Sequence, residues 1–161
     1  MITLESSRTY DRIDAMLLRA LIDDPDATIS ALSHTTRLAR NTVRSRRDRY
    51  AQDGTLRSFE RRIDPRFLGY PLSAYIVTKV TQRKLDSVAA TLATIDEVVE
   101  VHGLSGITDL LIHVVARDAD DLYRIAGRIL DVDGVKRTST GLVMREMVKY
   151  RIGQLVDPNV S

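Results

Sequence analysis

Apolar residues recur at three- and four-residue intervals through the first third of the chain, and the period then changes. In TYDRIDAMLLRALIDDPDATISALSHTT, Ile13, Leu17, Leu18 and Leu21 form one apolar stripe, the pattern of an amphipathic helix. Pro25, inside the acidic run DDPD, ends it. Thr28 offers an N-cap hydroxyl to a short second helix carrying Ile29 and Leu32. A polar turn from Ser33 to Arg37 is expected to lead into a third helix, anchored by Leu38, Val43 and Tyr50 and stopped by Gly54. Leu56 to Ile63 is expected to close a small hairpin, a wing exposing Arg57, Arg61 and Arg62. Three helices and a wing make a winged helix-turn-helix, whose last helix enters the DNA major groove.

The pattern switches after IDPRFLGYP, where Pro65, Gly69 and Pro71 punctuate the chain. LSAYIVTKVT reads as a strand, RKLDSVAATLATI as a helix with Leu85, Val88, Leu92 and Ile95 on one side, and EVVEVHGL as a strand. ITDLLIHVVAR, after Ser105-Gly106, is a nearly continuous apolar strand. DADDLYRIAGRILDV is a helix burying Leu122, Ile125, Ile129 and Leu130, and Val135 to Arg151 is a long last strand. The order βαββαβ is that of a ferredoxin-like fold, which makes the whole chain an α+β protein. We expect a DNA-binding domain over 1–63, a linker over 64–71, the ferredoxin-like domain over 72–151 and a frayed tail over 152–161. Such a sheet carries helices on one face only. Apolar side chains alternate onto both faces of its third strand, which suggests sheet-to-sheet dimerisation.

Charge sharpens the first domain. The segment RLARNTVRSRRDR, Arg37 to Arg49, holds six arginines and one aspartate. From His34 to Arg62 there are nine arginines against Asp48, Asp53 and Glu60, a net of +6, on a chain whose formal net charge is only +2. A localised basic face on a nearly neutral protein is the footprint of a nucleic-acid module, since phosphate neutralisation supplies most non-specific affinity. The competing reading is a solvated helix held by ion pairs to Asp48 and Asp53. The residues expected to meet DNA are Arg37, Arg40, Asn41, Thr42, Arg44, Arg46, Arg47 and Arg57, with Arg46 and Arg49 on phosphates or in local ion pairs.

Composition narrows the rest. The chain has 161 residues, 43% of them hydrophobic, with no Cys and no Trp. Disulfides and thiolate metal sites are thereby excluded. No leader pattern opens the sequence and no apolar run approaches ~20 residues, so a soluble cytoplasmic protein without membrane contact is expected.

Taken in order, these segments resemble the Lrp/AsnC family of bacterial and archaeal transcription regulators. YDRIDAMLLRAL is similar to the family's opening pattern. ALSHTTRLARNTVRSRRDRYAQDGTL is similar to its DNA reader, IDPRFLGY to its hinge, and EVVEVHGLSGITDLLIHVVARDADDL with DGVKRTSTGLVMREMVKYR to its regulatory domain. The resemblance implies a homodimer that assembles further into tetramers or octamers on double-stranded DNA. It also implies a small effector, commonly an amino acid, and no cofactor. The family's effector loop reads Gly-Asp-x-Asp. Gly106 and Asp109 keep its ends, Thr108 fills the variable place, and Ile107 stands where the first acid would be. Thr138 and Thr140 lie on the facing strand. An ammonium group suits a carboxylate such as Asp109, and a carboxylate suits the hydroxyls and backbone N–H groups of Gly106, Thr138 and Thr140. The alternative is turn chemistry alone, with Gly106 as a tight turn and Asp109 as its cap.

His34, His102 and His113 show no metal-ligand spacing. His102 sits just before the effector loop and belongs with the pocket candidates, whereas His113 reads as a satisfied core histidine. The acidic DDPD loop lacks the glycine and terminal glutamate of a calcium loop, and Ser105-Gly106 has no nucleophile-elbow frame. No catalytic residue is expected. Two other classes share the architecture: a sirohaem-decarboxylase-like enzyme recruiting His102 and His113, and an architectural DNA-binding protein that answers to no effector. A haem titration or a promoter footprint separates them.

Overall fold

The computed structural model describes residues 10–157 and 159. The chain's opening, read above as leaderless, and the last residues of the tail lie outside them. The chain divides into two compact units: one runs up to Ser58 and takes in the segment from Val148 onward, and the other is Phe59–Met147.

In the first unit, α1 (Arg12–Asp23) starts in a capping box in which the Asp11 side chain accepts from the Asp14 N–H and the Asp14 side chain from the Asp11 N–H. Thr28 caps α2 (Ile29–Thr36) as expected, its hydroxyl accepting from the Ala31 N–H at 3.1 Å. The helix runs on past Ser33, where a turn was expected. Thr36 is buried and donates its hydroxyl to the Leu32 carbonyl at 2.6 Å, so the last turn packs inward. The turn is confined to Arg37, Leu38 and Ala39. Arg37 takes φ 59°, the only positive φ outside glycine among the described residues, and Ser33 Oγ donates to the Leu38 carbonyl at 2.6 Å. α3 (Arg40–Gln52) follows, and Gly54 at φ 72° breaks it. Leu17, Leu21, Leu32, Val43 and Tyr50 make the core, with Ile13, Leu18 and Leu38 packed at its edge.

The expected hairpin is absent. Residues 56–63 form a loop and a 3-10 turn (Phe59–Arg62), with Leu56, Phe59 and Ile63 all exposed. LRSFERRI holds no two-residue turn signal and no apolar face. An isolated two-stranded ribbon without such a face is marginal in water. The tail also departs from expectation. A 3-10 turn at Gly153–Leu155 returns to the first unit, where the Gly153 carbonyl accepts from Arg19 at 3.5 Å and the Asp157 carbonyl from the Tyr10 hydroxyl at 3.3 Å. The described tail is therefore laid against α1.

The second unit is a four-stranded antiparallel sheet in the order β2-β3-β1-β4. Its elements are β1 (Leu72–Val80), α4 (Leu85–Leu92), β2 (Val98–Gly103), β3 (Leu110–Ala116), α5 (Ala119–Leu130) and β4 (Val135–Leu142). This is the expected βαββαβ order. Ala74, Ile76 and Val80 of β1 join Leu110, Ile112 and Val114 of β3 beneath Val88, Leu92, Ile125 and Ile129 of the helices. Leu130, expected in that stripe, is 47% exposed, because Ile129 and Ile125 already fill the inward face. β4 stops at Leu142, short of the expected Arg151. Leu142 pairs with Ala74, and β1 begins two residues earlier, behind Pro71, so its partner strand runs out.

Residues opposite each other in the register share a face. The face away from the helices therefore carries Ser73, Tyr75 and Val77 beside Leu111, His113 and Val115, with Glu100 and His102 from β2 and Ser139 from β4. It is mixed rather than uniformly apolar. His113 is half-buried there, not in the core. Its ring stacks on Tyr75 with centroids 4.7 Å apart, and its Nε2 lies 2.8 Å from Ser73 Oγ.

Candidate DNA-binding face and ligand region

The six arginines of Arg37–Arg49 divide into two sets. Val43 and Tyr50, two helical turns apart, point inward, and Arg46 and Arg47, one turn on from Val43, lie near the same side. Arg46 donates to Asp14 at 2.8 Å and to Asp11 at 2.7 Å. Arg49 donates to Asp14 at 2.7 Å, and the buried Tyr50 hydroxyl to the same oxygen at 2.6 Å. Asp14 itself is 5% exposed. The hydrogen bond from Arg46 holds the Asp11 carboxyl below its ordinary range, and Asp11 in turn raises the Arg46 guanidinium. Burial, then the bond to Asp14, pushes the Tyr50 phenol up. Arg47 donates to the Ala27 carbonyl at 3.0 Å. These contacts fasten α3 to α1 and to the α1–α2 connection.

The outward set is Arg37, Arg40, Asn41 and Arg44, all exposed, with Thr42 half-buried beside them. Arg40 reaches Ser30 Oγ at 3.1 Å. Asn41, Arg44, Ser45, Asp48, Arg49 and Gln52 line an open groove of about 470 Å³ along the helix. Arg57 is exposed in the loop beyond Gly54. Ser45 and Asp48 were not among the expected contacts. Counting seven residues on from Asn41 would have found Asp48, just as counting from Val43 would have turned Arg46 and Arg47 inward.

In the second unit, the loop between β2 and β3 is closed by the Leu104 N–H on the Asp109 carbonyl at 2.8 Å. Gly106 turns it at φ 121°, and Ile107 is 85% exposed at the tip. Thr108 is half-buried. The Asp109 carboxylate is 6% exposed and already filled. It accepts from the Val80 N–H at 2.8 Å, from Gln82 Nε2 at 2.8 Å and from Lys79 Nζ at 3.1 Å, at the bulge in β1. The Val80 N–H does most to hold its pKa below the ordinary value. His102 lies 3.2 Å from Glu100, which also pairs with Arg61 and is held below the usual glutamate range chiefly by that arginine. Thr138 and Thr140 stand opposite Thr78 and Ile76 on the helix-side face of edge strand β4, whereas His102 is on the other face of edge strand β2. One copy of the chain does not bring them together.

A trihelical unit presenting an outward basic groove, followed on the chain by a ferredoxin-like domain, has the architecture of a DNA-binding protein with a separate second module. Comparison with known proteins gives this class a family. Residues 10–57 match the winged helix-turn-helix DNA-binding family, and residues 73–152 match the Lrp/AsnC ligand binding domain. The HTH-type transcriptional regulator FL11 of Pyrococcus horikoshii is 31% identical over 135 residues, 84% of this chain and 89% of that protein. The structure of E. coli AsnC superposes with a TM-score of 0.79 at 23% identity, over 89% of this chain and 98% of that one, a likeness of fold. The feast or famine regulatory protein from M. tuberculosis, solved with L-methionine, superposes at 0.76 with 29% identity, over 88% and 97% of the two chains. The chain belongs to the Lrp/AsnC family of transcription regulators. It is a DNA-binding regulator with an effector-binding domain. No helix among the described residues is long and apolar enough to cross a membrane.

Proposed function

We propose that this regulator reads duplex DNA through the outward stripe of α3 and answers to an amino acid sensed by the second unit. The observation that carries the DNA reading is the sorting of the arginines. Arg46, Arg47 and Arg49 hold the scaffold, and Arg37, Arg40, Asn41 and Arg44 are left facing outward. Arg37, Arg40 and Arg57 take phosphates, while Asn41, Thr42 and Arg44 reach base edges.

The amino-acid class is supported by the M. tuberculosis relative with L-methionine. In this chain Asp109 already satisfies three donors, so its part is to shape the 104–109 loop. The ligand is held by the main chain around Gly106, with Thr108 and His102. Thr138 and Thr140 lie on the opposite edge of the sheet and join only from another copy. The working form is thus a homodimer or larger assembly, packed through the mixed open face of the sheet, in the cytoplasm.

The test pairs two measurements: a thermal-shift screen of amino acids, and mobility shifts with the protein's own upstream region with and without each hit. Asp109→Ala is expected to bind DNA normally and lose the response to the hit, because the Val80 N–H loses its acceptor and the loop opens. An intact response in that variant places the ligand elsewhere. Absence of any duplex binding by the unmutated chain refutes the regulator reading.

A further inference from the structure

One side chain on the DNA-facing groove has the wrong sign for a phosphate surface. Asp48 is exposed midway along α3, in the row Asn41, Arg44, Ser45, Asp48, which the spacing i, i+3, i+4, i+7 puts on one face. Among the described residues it makes no hydrogen bond or ion pair. Of the neighbouring cations, Arg47 is turned to the Ala27 carbonyl and Arg49 to Asp14, while Arg44, one turn back on the same row, is exposed and makes no ion pair with it among the described residues. A carboxylate at that place is repelled by the DNA backbone, so it costs non-specific affinity. A hydrogen-bond donor on the groove floor would offset that cost.

We infer that Asp48 is a specificity-determining residue that accepts a hydrogen bond from the N4 amino group of a cytosine, and so selects a C·G pair at one fixed position of each half-site. In the major groove a carboxylate pairs with cytosine N4 or adenine N6 as donors. The guanine edge offers acceptors only. Adenine also presents its N7 lone pair close to N6, which repels the second carboxylate oxygen, and cytosine has no such acceptor beside N4. Seven residues of helix span about 10.5 Å, or about three base-pair steps, between the positions read by Asn41 and Asp48. The half-site therefore carries an invariant C·G pair about three pairs from the position set by Asn41. This inference rests on the reading of α3 as the recognition helix.

The experiment selects the full chain, and its Asp48→Ala and Asp48→Asn variants, against a pool of randomised duplexes. The unmutated chain should enrich a motif with that C·G pair. Asp48→Ala should keep the rest of the motif, lose about tenfold or more of the preference at that pair, and bind unrelated duplexes more tightly. Asp48→Asn should shift the preference toward A·T, since an amide both donates to N7 and accepts from N6. An unchanged motif in both variants overturns the inference and leaves Asp48 as surface charge. Enrichment of no duplex by the unmutated chain refutes the regulator reading itself, and the inference with it.

Discussion

Asp14→Ala is the substitution that tests how α3, the proposed recognition helix, is held. Asp14 is buried at the centre of a network with four partners. One of its oxygens receives Arg46, Arg49 and the Tyr50 hydroxyl, and the other receives the Asp11 N–H. Removing a partner from a buried ion pair costs about 3–5 kcal/mol when the remaining charge stays dry. Here the Arg46 and Arg49 side chains are 19% and 33% exposed and regain water on losing their partner, which lowers that figure. The Tyr50 hydroxyl is 2% exposed as a residue and cannot rehydrate, so its orphaning adds about 1–3 kcal/mol. The expected loss is about 3 kcal/mol in the first unit. With a urea slope of about 1 kcal/mol/M for a unit of this size, the midpoint of its unfolding should fall by about 3 M. Urea melts of the full chain, followed by helical circular dichroism, read this directly. Tyr50→Phe should cost about 1 kcal/mol alone and almost nothing on top of Asp14→Ala, because the two share one interaction. A midpoint shift below about 1 M, or full additivity of the pair, would refute the idea that this network orients α3.

Two further outcomes follow from the second unit and from pH. Gly134 sits at φ 105°, where a Cβ would lie 2.9 Å from Lys84 Cβ and 3.1 Å from Val88 Cγ2. Gly134→Ala should therefore cost about 2 kcal/mol or more from backbone strain and the clash together, seen as a lower melting temperature. Asp11, Glu97 and Asp121 all have folded carboxyls held below their ordinary values by arginines, Arg46, Arg124 and Arg117 first among them. A depressed folded pKa means the stability it contributes is complete above the unfolded value, 3.8 for Asp and 4.5 for Glu, and is lost as pH falls through the folded value. Thermal melts should be insensitive to these groups above about pH 5.5 and should drop steeply below about pH 4. A melting temperature still level at pH 3 would contradict the ion-pair geometry.

What could be read from the sequence was whatever a periodic pattern carries by itself. The stripe from Ile13 to Leu21, the Thr28 cap and the alternation in β1 and β3 each depend on neighbours a few residues away, and the structure has them where the pattern puts them. The failures share a cause. Leu56 to Ile63 was expected to be a hairpin, and Val143 to Arg151 to continue a strand, but whether a segment makes a strand depends on having a partner, and the partner is distant in sequence. β4 ends because β1 begins behind Pro71, a residue some seventy positions earlier.

The candidate sites follow the same logic one level up. Basic composition singled out the candidate DNA face, yet it weighted all six arginines alike. Only helical phase, set by Val43 and Tyr50, divides those that build the scaffold from those that face outward, and the decisive partner, Asp14, lies more than thirty residues upstream. Asp109 makes the converse point. A carboxylate after a glycine loop is ambiguous between ligand and cap while its donors are unknown, and the donors are Val80, Lys79 and Gln82 from another strand and the turn that follows it. Asp48 became informative because every other charged group near it has a partner in the scaffold or the sign a phosphate favours. On the proposed DNA face, an unpaired acid is the place where attraction would be given up for discrimination.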